Sequence, residues 1–167
     1  VGLKGTIFND SLRVFYPCSS ADSINAGEQR ITTDNYVWGS ETLAVDGDDK
    51  VSVQRFVNPY VFNGTLFVFF SGRNGSTGNY SLYVANWTGN NYSAAILIAN
   101  QTNQNRNIEQ AHAFAENNIM RVWFFSSSFN TSNVSLYEVN YTFASGWTSP
   151  VLKLELNHTK PSGGGTI

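Results

Sequence analysis

The stretch MRVWFFS at residues 120–126 occurs twice more in related form, as LFVFFS at 66–71 and LRVFYP at 12–17. The three copies begin at positions 12, 66 and 120, so their spacing is constant. A fixed period of about 54 residues is typical of a repeat architecture, in which each copy is one supersecondary unit. Such a unit cannot bury its apolar face alone, so neighbouring units must stack on one another. The sequence therefore predicts three stacked units.

Three further landmarks recur in the same order in each unit. A short strand-like segment precedes each copy, at 5–7, 59–62 and 111–114. SLYVANW at 81–87 matches SLYEVNY at 135–141, again one period apart. An aromatic residue and a short run close each unit, at 38–43, 92–97 and 147–152. Four short strands in a unit of this length are typical of a β-propeller blade.

Local patterns agree with strands. Apolar and polar residues alternate along 79–84, as in a half-buried strand. The continuously apolar run 66–70 predicts a strand covered on both faces. The best helical candidate, 107–116, is short and lacks a sustained apolar period.

We therefore predict an all-β, propeller-like fold with three four-stranded antiparallel blades in one domain, 1–167. The predicted blades are 5–57, 58–110 and 111–164, and GTI at 165–167 repeats GTI at 5–7 and so marks the first strand of a further blade. Natural propellers have about four to eight blades. Either a second chain or missing sequence would complete the ring, unless 162–165 is simply a flexible tail.

Composition excludes several classes of partner. Charged residues make up 13% of the chain, the net charge is −2, and no basic stripe is present. These features argue against nucleic acid and acidic membranes as partners. No apolar stretch approaches the ~18 residues of a membrane span, so no membrane insertion is expected.

Acceptor sites for N-glycosylation are unusually frequent. The motif Asn-X-Ser/Thr occurs eleven times, where random sequence with this composition would give about four. The excess predicts a secreted, extracellular glycoprotein, and the start at Val1 a mature or trimmed product. Cys18 has no internal disulfide partner and is expected as a buried thiol or an intermolecular bridge. The acceptors are Asn9, Asn63, Asn74, Asn79, Asn86, Asn91, Asn100, Asn130, Asn133, Asn140 and Asn157.

The sequence offers little catalytic chemistry. His112 is interpreted as a core or channel-lining residue and His158 as an exposed one. No nucleophile elbow, zinc-ligand spacing or phosphate-binding glycine loop is present. The acidic run 46–49 fits a solvated turn better than a calcium site. We predict no enzyme, metal or cofactor, although Glu109, Glu116, Glu138 and Glu155 supply carboxylates that the sequence alone cannot pair.

The third unit contains residue types that bind sugars. Arg121 supplies a rigid fork of donors and Glu138 a carboxylate acceptor for adjacent hydroxyls. Tyr141 and Trp147 supply aromatic faces for the C–H face of a sugar ring. The alternative is a structural Arg–Glu pair on neighbouring strands, which would contribute little if exposed.

The residues 120–124, 136–139 and 146–148 resemble a blade of the fungal fucose-specific lectins. The resemblance implies a six-bladed propeller with sugar sites between adjacent blades, each using Arg from the second strand, Glu from the third, and aromatic side chains. It implies a site at Arg121, Glu138 and Tyr141 or Trp147, completed by an aromatic residue of the next blade. Phe67 and Val84 replace the Arg and Glu in the second unit, so no site is expected there.

In the first unit Arg13 matches the family pattern, while the Glu position falls near Glu28, Gln29 or Arg30 and the sequence does not fix which of them it is. The predicted function is a secreted, lectin-like propeller that binds a glycan, with fucose as the expected sugar, without catalysis. The first alternative is an extracellular structural or interaction propeller with degenerate sugar sites. The lesser alternative is part of a propeller glycoside hydrolase.

Overall fold

A computed structural model describes residues 4–17, 24–31, 36–38, 42–45, 51–74, 80–100, 106–128 and 133–156. All regular elements among these residues are β-strands, so the all-β prediction is confirmed. The short helical candidate at 107–116 is part of a strand. Within the described ranges, no helix is long and apolar enough to cross a membrane.

The described strands form three antiparallel sheets. Sheet 1 contains β1 (Lys4–Phe8), β2 (Ser11–Pro17), β3 (Ile24–Ile31), β4 (Tyr36–Trp38) and β5 (Thr42–Val45). Sheet 2 contains β6 (Val51–Phe62), β7 (Thr65–Asn74), β8 (Ser81–Asn86) and β9 (Ile96–Ala99). Sheet 3 contains β10 (Arg106–Glu116), β11 (Ile119–Ser128), β12 (Val134–Thr142), β13 (Gly146–Trp147) and β14 (Val151–Leu156).

The three sheets share one topology, in which consecutive strands pair and the last strand is interrupted. In sheet 1 both β4 and β5 pair with β3, and in sheet 3 both β13 and β14 pair with β12. In sheet 2 an isolated bridge between Trp87 and Tyr92 stands where the first of these two pieces would be. The interrupted strand explains why an aromatic residue and a short run close each repeat.

The first hairpin of each sheet turns in the same way. Its two central residues are Asn9 and Asp10, Asn63 and Gly64, or Asn117 and Asn118, and all six have positive φ. Two-residue hairpins of this kind match the right-handed twist of their strands, and Asn, Asp and Gly tolerate the left-handed backbone best. Successive turns lie one repeat period apart and therefore keep the sequence repeat in register.

The sheets stack face to face through apolar side chains. One core cluster joins sheet 1 to sheet 2 and includes Phe15, Val68 and Phe70. A second cluster joins sheet 2 to sheet 3 and includes Phe69 and Phe124. Successive residues of a strand point to opposite faces, so β7 contributes to both clusters. The run 66–70 is buried throughout, which confirms the predicted doubly covered strand.

Polar contacts fix sheet 3 against sheet 2. The Asn58 amide nitrogen donates to the Ala111 carbonyl oxygen at 2.8 Å. The Tyr80 amide donates to Asn107 Oδ1 at 3.1 Å, and the Ile108 amide donates to the Tyr80 carbonyl at the same distance. Each of these bonds involves the first strand of sheet 3, so β10 anchors its sheet to the preceding one.

Some sequence predictions concern parts of the chain that the structure leaves undescribed. Cys18, His158 and the segments 46–49 and 162–167 lie outside the described residues. The blade boundaries stay predictions, with β6 beginning at Val51 and β10 at Arg106.

Candidate ligand-binding site

Arg121 and Glu138 meet on one face of sheet 3. In the register of β11 and β12, Arg121 is paired with Asn140 and Trp123 with Glu138. Residues paired directly across an antiparallel ladder share a face, as do residues two apart in one strand. The Arg121 Nη1 atom lies 3.3 Å from Glu138 Oε1. The proximity expected for these two residues is therefore present in the structure.

Glu138 is the centre of this cluster. Its side chain is only 5% exposed, yet each carboxylate oxygen has a partner. Trp123 Nε1 donates to Oε2 at 2.6 Å, and Lys153 Nζ lies 3.0 Å from Oε1. Burial alone would raise the pKa of Glu138, but the Trp123 hydrogen bond and the Lys153 and Arg121 cations together lower it. Glu138 is therefore a fixed, ionised acceptor.

Arg121 and Trp123 keep part of their surface in solvent. Arg121 Nε forms a second ion pair with Glu116 Oε2 at 2.8 Å, and the Arg121 side chain is 29% exposed. Trp123 is 43% exposed, and the Phe114 ring packs edge-on against it at 5.1 Å. We call the face that carries Arg121, Trp123 and Glu138 the open face of sheet 3. On this face a partly exposed guanidinium and a partly exposed indole lie beside a carboxylate that is almost fully buried.

Tyr141 and Trp147 do not join this cluster. Tyr141 packs against Phe67 at 5.4 Å between ring centroids, and Trp147 packs against Phe69 at 5.9 Å. Both rings therefore lie on the opposite face of sheet 3, against sheet 2. The expectation that the four residues form one site within the unit was wrong. Glu138 and Tyr141 are three residues apart in a strand, and an odd spacing puts side chains on opposite faces.

The repeat position of Arg121 in the second strand is held by different residues, Arg13 and Phe67, at the two junctions between sheets. At the junction of sheets 1 and 2, Arg13 is 6% exposed and its guanidinium carbon lies 4.2 Å from the Trp87 ring centroid. Arg13 Nη1 also donates to the Tyr92 hydroxyl at 3.3 Å. At the junction of sheets 2 and 3, Phe67 holds the equivalent repeat position and packs against Tyr141. In both cases aromatic residues of the following sheet cover the position.

In the first unit Ala26 holds the register position of Glu138, because Phe15 is paired with Ala26 as Trp123 is with Glu138. None of Glu28, Gln29 and Arg30, which the sequence left open, stands at that position. Arg13 is paired with Glu28, whereas Gln29 is paired with Leu12 and Arg30 with Ser11. Glu28 is therefore the residue directly across the ladder from Arg13. The two arginines differ in this respect, because Arg121 is paired across the ladder with Asn140 and contacts Glu138 diagonally.

His112 and the acidic residues offer no second site of comparable organisation among the described residues. His112 is exposed and helps to line a cavity of about 80 Å³ together with Lys4, Phe56, Val57, Asn58, Gln110 and Ala111. Glu109 accepts a hydrogen bond from the Ser127 hydroxyl at 2.7 Å. In the described part of the chain, no three His, Cys, Asp or Glu residues are grouped so that they could hold a metal ion.

Several glycosylation acceptors have accessible side chains. Asn9, Asn63, Asn91 and Asn100 are exposed, and Asn86, Asn133 and Asn140 are half-buried. Asn74 ends β7, and its side chain is not among those described. Asn79, Asn130 and Asn157 lie outside the described residues.

Two members of the cluster were missed in the sequence. Trp123 lies two residues after Arg121, so the period of a strand alone was enough to place both side chains on one face. Lys153 carries no comparable signal, because β14 pairs with β12 after a register shift. We compared the chain with protein-family models and with curated proteins, and neither comparison gives a match.

Proposed function

We propose that this chain is a secreted, N-glycosylated, propeller-type protein that binds carbohydrate without catalysis at the open face of sheet 3. The observation that carries the proposal is the Arg121–Glu138 pair, held beside the half-exposed ring of Trp123. Fucose, or a sugar of similar shape, is the ligand that the sequence resemblance favours.

The chemistry of the open face suits a monosaccharide. Adjacent hydroxyls on a sugar ring need a planar pair of donors and an ionised acceptor, which Arg121 and Glu138 provide. The C–H face of the sugar ring needs an aromatic surface, which the exposed part of Trp123 provides. Because Trp123 also donates to Glu138 at 2.6 Å, one residue would both contact the sugar and orient its acceptor.

Three features support the propeller arrangement. The sheets have one topology and stack in sequence order, as blades do. The first strands of neighbouring sheets contact each other: β6 of sheet 2 contacts β1 of sheet 1, and β10 of sheet 3 contacts β6. At two successive junctions a second-strand residue, Arg13 or Phe67, packs against an aromatic residue of the next sheet. Passage through a secretory pathway is supported by the eleven acceptor motifs and the exposure of Asn9, Asn63, Asn91 and Asn100.

The state of Glu138 argues against this residue as the catalytic acid of a glycoside hydrolase. A catalytic acid must hold its proton near the working pH, which requires a raised pKa. The pKa of Glu138 is instead lowered, despite its burial, by Trp123 and by the nearby cations. Glu116, the other carboxylate on Arg121, is 54% exposed and ion-paired. Glu138 is therefore better suited to accept hydrogen bonds than to donate a proton.

Binding can be tested with a glycan array followed by calorimetry on the best ligand. We expect Arg121→Ala and Trp123→Ala each to weaken binding, with a cost of about 2–5 kcal/mol for the charged donor. Phe143→Ala is a matched control, because Phe143 is an aromatic residue that is 56% exposed and packs on Phe62 rather than on the cluster. Full binding by Arg121→Ala, or equal losses in the control, would contradict the assignment.

The closed junctions favour one alternative, an extracellular structural or interaction propeller. Arg13 is buried under Trp87, and Phe67 fills the equivalent position in sheet 2, so neither junction leaves its second-strand residue open to a ligand. If no glycan on the array binds at high protein concentration while the β-sheet signal is native, this alternative replaces the lectin proposal.

A further inference from the structure

The two junctions follow one stacking pattern. At each of them, second-strand residues of one sheet lie under two aromatic residues of the next sheet. Trp87 and Tyr92, which bridge to each other, cover Arg13. Tyr141 and Trp147, which also pair with each other, pack against Phe67 and Phe69. The covering pair therefore joins the end of the third strand to the start of the interrupted fourth strand.

Among the residues that the structure describes, sheet 3 has the underlying residue of this pattern without a covering aromatic pair. Arg121 holds the repeat position of Arg13 and Phe67, but its neighbour Trp123 is 43% exposed. The open face also carries apolar side chains beside the polar cluster. In the register of β11, β12 and β14, Phe125 is paired with Leu136 and Leu136 with Leu154, which is 50% exposed. A row of apolar residues next to a polar cluster is typical of an interface.

Sheet 1 has the register positions of the covering pair, and none of the described strands forms a sheet beneath them. In sheet 1, Leu12 is paired with Gln29, and Gln29 is paired with Trp38. The corresponding pairs in sheet 3 are Met120 with Tyr141, and Tyr141 with Trp147. Trp38 thus occupies the register position of Tyr92 and Trp147. On the first strand of this sheet Ile7 is 66% exposed, the largest exposure among the large apolar residues of the described ranges.

We propose that the open face of sheet 3 is covered by sheet 1 of a second copy of this chain, which places the strand containing Trp38 over Arg121. The occupant is a second copy because sheet 1 offers the register positions that the stacking pattern requires. The contact joins two different faces, so it is heterologous, and two copies form a closed pair only if each uses both sheet 1 and sheet 3. The geometry rests on the proposed propeller arrangement, but assembly does not require sugar binding.

The pairing makes the ligand site a shared one. Arg121, Trp123 and Glu138 come from one copy, and the covering strand of sheet 1 comes from the other. Sheet 1 has Gln29 at the register position that Trp87 and Tyr141 hold in the other two sheets, so its cover lacks one of the two aromatic rings that close those junctions. A sugar would then bind at the seam between two copies, in the space of the missing ring, with the second copy forming one wall of its pocket. A copy that cannot pair would keep the Arg121–Glu138 contact but lose that wall.

Assembly is tested by light scattering and analytical ultracentrifugation on the full chain, produced without glycans and measured without sugar. We expect a species of twice the 18.5 kDa chain mass. Ile7→Lys and Leu154→Lys place a charge on one end face each, at positions that are already exposed. Each variant alone is expected to raise the dimer dissociation constant at least tenfold, with an unchanged far-ultraviolet β-sheet spectrum. Asn90→Lys, in an exposed turn of sheet 2, is the matched control and is expected to remain dimeric.

Mixing the two variants tests whether the contact is heterologous. A mixed pair contains one junction made of two unaltered faces, whereas neither variant alone has such a junction. We therefore expect partial recovery of dimer in an equimolar mixture. A monomer at all concentrations with a native spectrum overturns the proposal. So does open-ended polymerisation, or a dimer that neither substitution weakens. If a stable monomer binds glycan, the proposed pairing of two copies is wrong and the proposed lectin function stands. This outcome therefore distinguishes the two proposals.

Discussion

The junction of sheets 1 and 2 and the junction of sheets 2 and 3 have the same architecture but different chemistry. Arg13 stacks its guanidinium on Trp87 at the first junction, whereas Phe67 packs its ring on Tyr141 at the second. An aromatic cover accepts either residue, because a guanidinium can stack on a ring almost as a ring does. An arginine at this position therefore says little about ligand binding. Whether two aromatic rings cover the position decides whether a ligand can reach it.

The largest effect is expected where the rings of both sheets are fully enclosed. Phe69 and Phe124 are 0% exposed and belong to the cluster that joins sheets 2 and 3. Replacing either by Ala removes buried apolar surface and leaves a cavity, at a cost of about 3–5 kcal/mol of unfolding free energy. Urea denaturation measures this cost.

Phe143→Ala is again the matched control, since its ring is 56% exposed and makes its contacts at the rim of the same junction. We expect it to cost less than half as much. Equal losses for Phe143 and Phe69 would mean that the sheets are not held together by this cluster.

Arg13 provides the second comparison, between a stacked cation and a stacked ring. Arg13→Ala removes the contacts with Trp87 and Phe8 and the hydrogen bond to Tyr92, and we expect a loss of about 2–3 kcal/mol. Arg13→Phe imitates the residue of the second junction and should cost less, because an apolar replacement of a buried ion is often nearly neutral. Thermal and urea unfolding of both variants measure the difference.

The reciprocal change sharpens this comparison. Phe67→Arg would bury a cation at the second junction, where Val84 stands at the repeat position of Glu138. We expect it to be more destabilising than Arg13→Phe. If Arg13→Phe and Phe67→Arg lower the unfolding free energy equally, the two junctions accept either residue equally well. The residues around Arg13 would then contribute no specific stabilisation of its guanidinium.

These two junctions also explain how much could be predicted from the sequence. The constant repeat period placed the three second strands, and the apolar run 66–70 predicted the doubly covered β7, because both patterns follow directly from backbone geometry. The faces of the strands were predictable too, and the error over Tyr141 came from neglecting its odd spacing from Glu138.

Other parts of the site could not be predicted from local patterns. Lys153 reaches Glu138 only because β14 pairs with β12 after a break and a register shift. The burial of Arg13 depends on Trp87 and Tyr92, which are far away in sequence and belong to the next sheet. Such contacts arise from the stacking of sheets, and no short motif contains them.

A third comparison between the open face and the closed junctions uses the pH dependence of stability, because Glu138 on the open face is a titratable group. Because the pKa of Glu138 in the folded protein lies below its ordinary value of 4.5, the ionised group stabilises the fold. This contribution is fully present above the unfolded pKa and is lost as the pH falls through the folded pKa. We expect Glu138→Gln to cost about 1 kcal/mol at pH 7, since its partners Arg121 and Lys153 are partly exposed, and the difference from the unaltered chain to shrink towards pH 3.

Trp123→Phe sharpens that test. It keeps an aromatic ring but removes the hydrogen bond to Glu138, so the pH at which stability falls should move upward. Urea unfolding at a series of pH values measures both effects. A difference between Glu138→Gln and the unaltered chain that stays constant from pH 7 to pH 3 would show that the ionised form of Glu138 does not stabilise the fold.

The smallest expected effect concerns the first hairpins of sheets 2 and 3. Both turn through two residues with positive φ, but the second central residue is Gly64 in sheet 2 and Asn118 in sheet 3. Glycine has no Cβ and adopts this conformation without strain, so Asn118→Gly should stabilise the fold by less than about 1 kcal/mol. Gly64→Ala should destabilise it by about 1 kcal/mol, although no atom lies within 4 Å of the added Cβ, because the cost comes from the backbone alone. In thermal unfolding we expect Asn118→Gly to raise the midpoint temperature and Gly64→Ala to lower it. Shifts of the same sign would mean that the two hairpins do not share one turn type.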